Sequence, residues 1–335
     1  MESWYYTGGL GRFKLPRRPG RGRAAPEGTS VVHIVINPKS GSGPKRHVLA
    51  ELRAALRAQG RDVREYTTTS PGDATRYAAS VQHEAELVIA WGGDGTVREI
   101  ASALAGTPVA VLACPVGTEN LLAKELRIPA HPRRLAEIVA RGRVAEFDLG
   151  VVNGRSFLMI IGVGFDGEVV RRLASVRRGH ITHLSYFWPI WRTFWEHDFP
   201  KMRVVADGQE VFHDYGLAFV GNISRYAVGL RICRHAQFDD GLLDLVVFSC
   251  HQQTALVLHA AWTLLRRHPL KGSVIYRQVR RARIETDRPV PTQYDGDVGE
   301  NTPLDISLHP GKLRLLVPPP RPALGLWPWL GEIPA

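Results

Sequence analysis

Leu87-Val88-Ile89-Ala90-Trp91 is an unbroken apolar run that passes directly into Gly92-Gly93-Asp94-Gly95-Thr96, after which Val97, Ile100, Ala101 and Leu104 recur at helical spacing. A short apolar run bounded by glycines reads as a buried strand, and a 3.6-residue apolar period reads as an amphipathic helix. The segment therefore folds as strand, tight turn and helix. Glycines let the turn adopt positive φ and let a bulky ligand come close. Amides at a helix start attract phosphate oxygens. A lone carboxylate, Asp94, suits such a turn when a divalent cation offsets its repulsion from phosphate. A simple strand-to-helix turn with a capping Asp is the competing reading, because one short glycine-rich match is weak evidence.

The same alternation extends over the first half of the chain. Val31 to Ile36 reads as a strand closed by Asn37-Pro38. Lys45 to Gln59 places Val48, Leu49, Leu52, Ala55 and Leu56 on one helical face, and Gly60 stops it. A strand over Val63 to Thr67, a helix from Asp73, a strand over Val109 to Ala113 and a helix from Thr118 onward complete the pattern. Strands separated by helices predict a parallel sheet covered by helices, with ligands at the carboxyl ends of the strands.

After about Asp148 the texture becomes short β-rich runs separated by turns: Ser156 to Ile161, Met202 to Ala206, Glu210 to Phe212, Gly216 to Val220, Leu243 to Phe248, Val279 to Glu285 and Lys312 to Val317. These predict an antiparallel sandwich, interrupted by helices around 181 to 196 and 252 to 267. The domain organisation is thus a basic leader without apolar periodicity over 1–29, an α/β domain over 30–148, a β-sandwich domain over 149–317 and a Pro-rich tail over 318–335 with Trp327 and Trp329. The leader, carrying Arg12, Lys14, Arg17, Arg18, Arg21 and Arg23 among Gly and Pro, is expected to be disordered.

Lys and Arg outnumber Asp and Glu by 43 to 32, a formal net charge of +11 that favours an anionic partner: nucleotide, nucleic acid or acidic lipid surface. No aromatic-interleaved recognition motif accompanies the basic leader, so specific nucleic-acid binding is not expected. Three cysteines without metal-ligand spacing point to a reducing compartment, and none of the 13 histidines has zinc-site spacing. There is no apolar run of membrane-spanning length and no apolar signal core near residue 1. The expected location is cytoplasmic, with any membrane contact peripheral.

Three loops of phosphate-binding type fall at strand ends of the α/β half. Asn37-Pro38-Lys39-Ser40-Gly41-Ser42-Gly43 is the first, and it lacks Walker A spacing. Gly92 to Thr96 is the second, and Pro115-Val116-Gly117-Thr118-Glu119-Asn120 the third. Any one could be only a turn; three along one sheet edge predict a polyphosphate site.

In this order, Asn37-Pro38-x-Ser40-Gly41, Gly92-Gly93-Asp94-Gly95-Thr96 and Gly117-Thr118-x-Asn120 resemble the diacylglycerol kinase catalytic-domain family, which includes bacterial soluble lipid kinases and the sphingosine and ceramide kinases. Gly162-Val163-Gly164-Phe165-Asp166, Gly221-Asn222, Asp239-Asp240-Gly241-Leu242-Leu243-Asp244 and Asp295-Gly296-Asp297 continue the resemblance, which covers roughly residues 31 to 317. It implies a nucleotide domain of the NAD-kinase and phosphofructokinase kind, a β-sandwich domain, and an active site in the cleft between them.

The resemblance assigns ATP contacts to Asn37, Pro38, Lys39, Ser40, Gly41, Thr68, Gly92, Gly93, Asp94, Gly95, Thr96, Val97, Arg98 and Thr118, with Asp94 helping to hold Mg²⁺. Thr68 is preferred over its neighbours Thr67 and Thr69 because it lies four residues before Gly72-Asp73-Ala74. The family's base lies in an Asp-Gly-Glu motif; here Asp297 stands at the Glu position, and either Asp297 or Asp295 would take the proton, unless activity is lost. Leu121 replaces an Asp that many bacterial members carry. Gln237, Asp240 and Leu242 match the family's structural metal loop, with Asp240 giving its side chain and the other two their carbonyls; a turn with an Asx hydrogen bond competes with that reading.

The implied function is ATP-dependent transfer of a γ-phosphoryl group to the hydroxyl of a diacylglycerol-like or sphingoid lipid, with Mg²⁺. The aromatic-rich stretch Ile181 to Trp195, with Arg177, Arg178 and Arg192 nearby, suits a bilayer headgroup region, the mouth of an acyl-chain pocket or core packing. Expected partners are the lipid substrate and an anionic membrane surface, with a homodimer left open. Phosphorylation of a soluble acceptor such as NAD is the second reading, and a catalytically impaired nucleotide-binding peripheral membrane protein is the third.

Overall fold

The structure, a computed structural model, describes residues 31–40, 46–176, 191–226, 230–265 and 272–319. Gly41, the leader, the positions 177–190 and the tail from 320 lie outside the described residues.

The first sheet is built on β1 (Val31–Ile36), β2 (Asp62–Thr67), β3 (Leu87–Gly92) and β4 (Ala110–Pro115), all parallel, in the order β2-β1-β3-β4. Every residue of β3 is buried, which is why its sequence runs apolar without alternation. Helix α1 (Arg46–Ala58) buries Leu52 and Leu56, and α2 (Asp73–Val81) packs on α3 (Asp94–Leu104). The chain leaves β1 for β2 on one side and returns to β3 on the other. Loops after β1 and β3 therefore part at the sheet's switch point, the place where ligands settle in open α/β sheets.

Two sequence expectations shift here. Helix α3 begins at Asp94, inside the glycine turn rather than after it. The helix expected from Thr118 begins only at Leu121 (α4, Leu121–Glu125), because Asn120 takes the left-handed conformation, φ 52°, and keeps the preceding residues in a loop. Helix α5 (Pro132–Arg141) then packs on α1.

The run Lys312 to Val317 was expected in the sandwich and lies instead in the first sheet. As the last strand, Leu313–Val317 pairs parallel with β4 and antiparallel with β5 (Arg143–Phe147). Leu313, Leu315 and Val317 are buried there. Its approach depends on two glycines: a Cβ on Gly311 would lie 2.8 Å from the α-carbon of Gly106, whose amide donates to the Lys312 carbonyl at 2.9 Å. β propensity marks the segment as a strand but carries no information about which sheet receives it.

The second half is antiparallel. The strands β6 (Gly150–Val152), β7 (Arg155–Phe157) and β8 (Ile160–Val163) replace the single expected run over 156 to 161. Helix α6 (Phe165–Val176) follows, then β9 (Lys201–Ala206) and the long β10 (Gln209–Gly221). The first part of β10 pairs with β9, and Gly216 to Gly221 pairs with β11 (Leu243–Ser249) while Ala218 to Gly221 also pairs with β8. One strand thus passes between two sheets and makes a corner of the sandwich. β12 (Val274–Val279) and β13 (Arg281–Thr286) lead to β14 (Thr292–Tyr294) and β15 (Asp297–Val298), a hairpin at the sheet margin on which α6 packs.

Candidate active site

The loop after β1 is fastened to the loop after β3. Asn37 donates its backbone N–H to the Trp91 carbonyl at 3.0 Å and its side-chain amide to Thr96 Oγ1 at 3.1 Å. Its Oδ1 accepts the Lys39 amide at 3.0 Å, an Asx turn that leaves Pro38 and Lys39 exposed. Ser40 Oγ accepts the Gly93 amide at 3.2 Å. Thr68 closes the neighbouring edge: its N–H and its hydroxyl both donate to the Ile36 carbonyl, at 2.8 and 3.3 Å. Thr69 differs, because Asp73 holds both its amide and its hydroxyl.

Steric crowding explains the glycines. A Cβ on Gly92 would overlap the Thr96 side chain, and one on Gly117 would come to 2.5 Å from the Gly93 α-carbon. Glycine at 93 and 117 lets the second and third loops touch backbone to backbone. The third loop is closed by Asn120, whose side chain accepts from the Gly117 amide at 2.7 Å and donates to the Gly117 carbonyl at 2.8 Å. Thr118 is exposed on it. Gly93 caps α3 with extended backbone and without a side-chain cap, and its own amide is held by Ser40. Thr96 and Val97 face inward and are buried, so their side chains serve packing.

Asp94 has a partner that sequence reading missed. Its two oxygens accept the amides of Leu121 and Leu122 at 3.0 and 3.2 Å, so it caps α4 from across the loops. Burial pushes its pKa up, and those two amides act against that. Each oxygen keeps a further lone pair.

The Asp295-Gly296-Asp297 segment separates into two roles. Tyr294 pairs with Asp297 across a two-residue turn in which Asp295 and Gly296 have φ 53° and 85°. Positive φ at both central positions is the type I′ hairpin for which Asp-Gly is a preferred sequence. The Asp295 carboxylate is buried and accepts the Leu158, Met159 and Ile160 amides at 2.7, 2.8 and 3.0 Å. Burial raises its pKa, with the amides and Arg98 opposing. Asp297 instead projects into the space between the domains with its side chain 47% exposed, and Arg98 of α3 bonds its Oδ2 at 2.5 Å. A Cβ on Gly95 would stand 3.7 Å from that same oxygen.

Around Gln237, Asp240 and Leu242, Asp240 Oδ1 accepts the Leu242 amide at 3.0 Å, and Gly241, at φ 73°, donates to Asp148 Oδ2 at 2.7 Å. Asp240 has a pKa raised by burial and by the nearby Asp148 and Asp239 charges. The positive charge at this loop comes from Lys312, whose Nζ lies 3.0 Å from Asp148 Oδ1 and 3.3 Å from the Asp239 carbonyl. No group of three or more His, Cys, Asp or Glu gathers as a metal cluster among the described residues.

Glu125 on α4 is a further tie between the domains, accepting from Ser224 and pairing with Arg225, each at 3.0 Å. A buried pair, Asp166 and Tyr226, was also missed: Tyr226 donates its hydroxyl to Asp166 Oδ1, and burial lifts that carboxyl to about 6. Gly162 leaves the room that Asp166 fills. An acid in the first turn of a helix gave no sequence sign that it would be buried.

Residues 31–152 match the family described as diacylglycerol kinase catalytic domain, and residues 159–317 the YegS C-terminal NAD kinase beta sandwich-like domain. A diacylglycerol kinase of Mycobacterium tuberculosis is 30% identical over 304 residues, covering 86% of this chain and 95% of that protein. A diacylglycerol kinase of Bacillus subtilis is 27% identical over 282 residues, covering 81% and 90%. The crystal structure of a diacylglycerol kinase from Bacillus anthracis superposes with a TM-score of 0.69 at 26% identity, covering 87% of this chain and 97% of that one.

Proposed function

Because the chain belongs to the diacylglycerol kinase catalytic-domain family, a family of lipid kinases, we propose that it phosphorylates the hydroxyl of a diacylglycerol-like or sphingoid lipid, using ATP and Mg²⁺. Bound ATP with Mg²⁺ would supply the transferable phosphoryl group and neutralise the charge that develops during transfer. The donor set suits such a ligand: three loops presenting amides at one sheet edge, with the carboxylates Asp94 and Asp297 beside them.

The division of labour follows the fold. The α/β half, residues 30–148, holds the nucleotide on the loops at Asn37 to Ser40, Gly92 to Arg98 and Gly117 to Asn120, with Thr68 at the margin. The half from 149 carries the acceptor and the base. Asp94 positions the third loop against the second through α4, and can still reach a cation through its remaining lone pairs. Asp297 takes the proton of the attacking hydroxyl. Arg98 fixes the direction of that carboxylate, and Asp295 builds the hairpin that presents it.

The single observation that carries this reading is the Asp297 carboxylate, half-exposed and facing Gly95 of the glycine loop. General-base catalysis needs an accessible carboxylate near the phosphoryl donor, and the exposure of Asp297 beside the glycine loop supports that role. Substitution of Asp for Glu removes one methylene without removing the base.

An assay with radiolabelled ATP and Mg²⁺ against diacylglycerol, sphingosine, ceramide and NAD tests the proposal. Label in one of the lipids is expected. Label in NAD alone would replace it with the soluble-acceptor reading. ATP binding without label in any acceptor would reduce the protein to a nucleotide-binding one.

A further inference from the structure

The helix Gln253–Leu264 has its polarity reversed. None of its residues is charged, and the side chains it buries include His259 and Thr263. Both bond within the fold: His259 Nε2 donates to the Ser249 carbonyl and Thr263 Oγ1 to the His259 carbonyl, each at 2.8 Å. Val257, Leu258 and Leu264 are 55, 55 and 68% exposed, and Leu265, one residue beyond, is 63% exposed. Positions 257, 258, 261, 264 and 265 fall on one helical face, so the aliphatic side chains form one outward strip. A helix packed on a water-soluble body carries the opposite distribution.

A second apolar element adjoins it. Gln253 donates its side-chain amide to the His197 carbonyl at 3.2 Å, at the end of the helical residues 191–196. There Trp191 and Trp195 are 46 and 60% exposed and meet edge to face at 5.7 Å, with the exposed Arg192 between them in sequence. Arg172 of α6 pairs with Glu196 at 2.7 Å, and α6 is the helix that backs the Asp297 hairpin. The strip and the catalytic hairpin are therefore joined through α6.

We infer that the outward face of Gln253–Leu264, with Trp191 and Trp195, inserts into the surface of an anionic lipid bilayer. Aliphatic side chains on an uncharged helix face enter the acyl boundary, and tryptophans settle at the headgroup level. The charge of the chain is complementary to such a surface: the net formal charge is +11, and the sequence runs from Leu265 directly into Arg266-Arg267-His268. No helix among the described residues is long and apolar enough to cross a membrane, so the contact is a surface one. The inference rests on the lipid-acceptor reading for its purpose, since it brings the hairpin to where a lipid hydroxyl resides.

The test is co-sedimentation with vesicles of phosphatidylglycerol and phosphatidylcholine, comparing the full chain with the double variant Leu258→Gln/Leu264→Gln. The variant should lose about tenfold or more of its vesicle partitioning, keep its melting temperature, and keep its turnover on a water-soluble short-chain acylglycerol. If the double variant melts early, Leu265→Gln beyond the helix end is read in its place. Unchanged partitioning of the variant, or no partitioning of the parent chain, overturns the inference. So does a dimer of the parent chain in sedimentation velocity that the variant dissolves, which would assign the face to a second copy. Partitioning that the variant loses, with no lipid phosphorylated by either protein, would uphold the surface and sink the kinase reading instead.

Discussion

Arg98 and Asp297, 199 positions apart in the chain, meet at 2.5 Å. This contact joins the helix that starts in the glycine loop to the hairpin of the second domain. Asp295, two residues from Asp297, is engaged elsewhere in the second domain. Its Oδ1 accepts the Met159 and Ile160 amides and its Oδ2 the Leu158 amide.

The two aspartates are predicted to separate in experiment. Asp297→Asn should lower kcat by about 10²- to 10⁴-fold, the usual range for a general base, with little change in melting temperature, since exposed ion pairs contribute about 0–1 kcal/mol. Asp297→Glu should retain turnover. Asp295→Asn should cost stability, roughly 1–3 kcal/mol for amides left without a charged acceptor, read as a lower urea midpoint. Equal loss of kcat and equal loss of stability in both variants would dissolve the distinction.

Asp94→Ala should do more than remove a cation ligand. It uncaps α4, at about 0.5–2 kcal/mol, and releases the Gly117 to Asn120 loop. The expected result is loss of turnover together with a lower melting temperature. Turnover at the parental level in the purified variant would refute a role at the phosphates.

Gly117→Ala places a methyl 2.5 Å from the Gly93 α-carbon, where only backbone can give way. Separation of the second and third loops should weaken ATP binding at least tenfold in calorimetry. Gly60→Ala is not an equivalent control, because Gly60 has φ 76°; Ala54→Gly on the exposed face of α1 serves better, with an expected cost of about 1 kcal/mol and no change in ATP affinity. Unaltered ATP binding by Gly117→Ala would show that the contact between the loops is dispensable.

Asp166 predicts a pH signature. Its carboxyl, held at about 6 by burial, lies above the ordinary value of about 4. Its contribution to stability is therefore complete below about pH 4 and is lost as the pH rises through about 6. Two units correspond to roughly 3 kcal/mol. Asp166→Asn does not titrate, so the parent should lose about that much relative to the variant between pH 4 and 7. His197, pushed down to about 4 by burial, slopes the other way in both proteins and cancels in the comparison. Urea midpoints that keep a constant difference across this range would contradict the assignment.

Much of the candidate site was legible locally. The Leu87 to Leu104 segment specifies strand, turn and helix within a few residues, and Asp295-Gly296 specifies a type I′ turn by its composition alone. The destination of Leu313–Val317 was not legible. Neither was the capping of α4 by Asp94, whose partners lie 27 and 28 residues away. A sequence periodicity reports burial and local geometry, whereas pairing partners and the aim of a carboxylate depend on distant chain.

By itself, then, the sequence determined the alternating first half, the β-rich second half, the three loops at one sheet edge and the late acidic turn, because each is encoded in side-chain spacing and backbone preference over a few residues. Only the tertiary structure decided which aspartate faces the loops, which sheet takes the last strand, and that the uncharged helix Gln253–Leu264 turns its aliphatic face outward. Those outcomes come from burial and hydrogen bonding among residues brought together by folding, so no local pattern contains them.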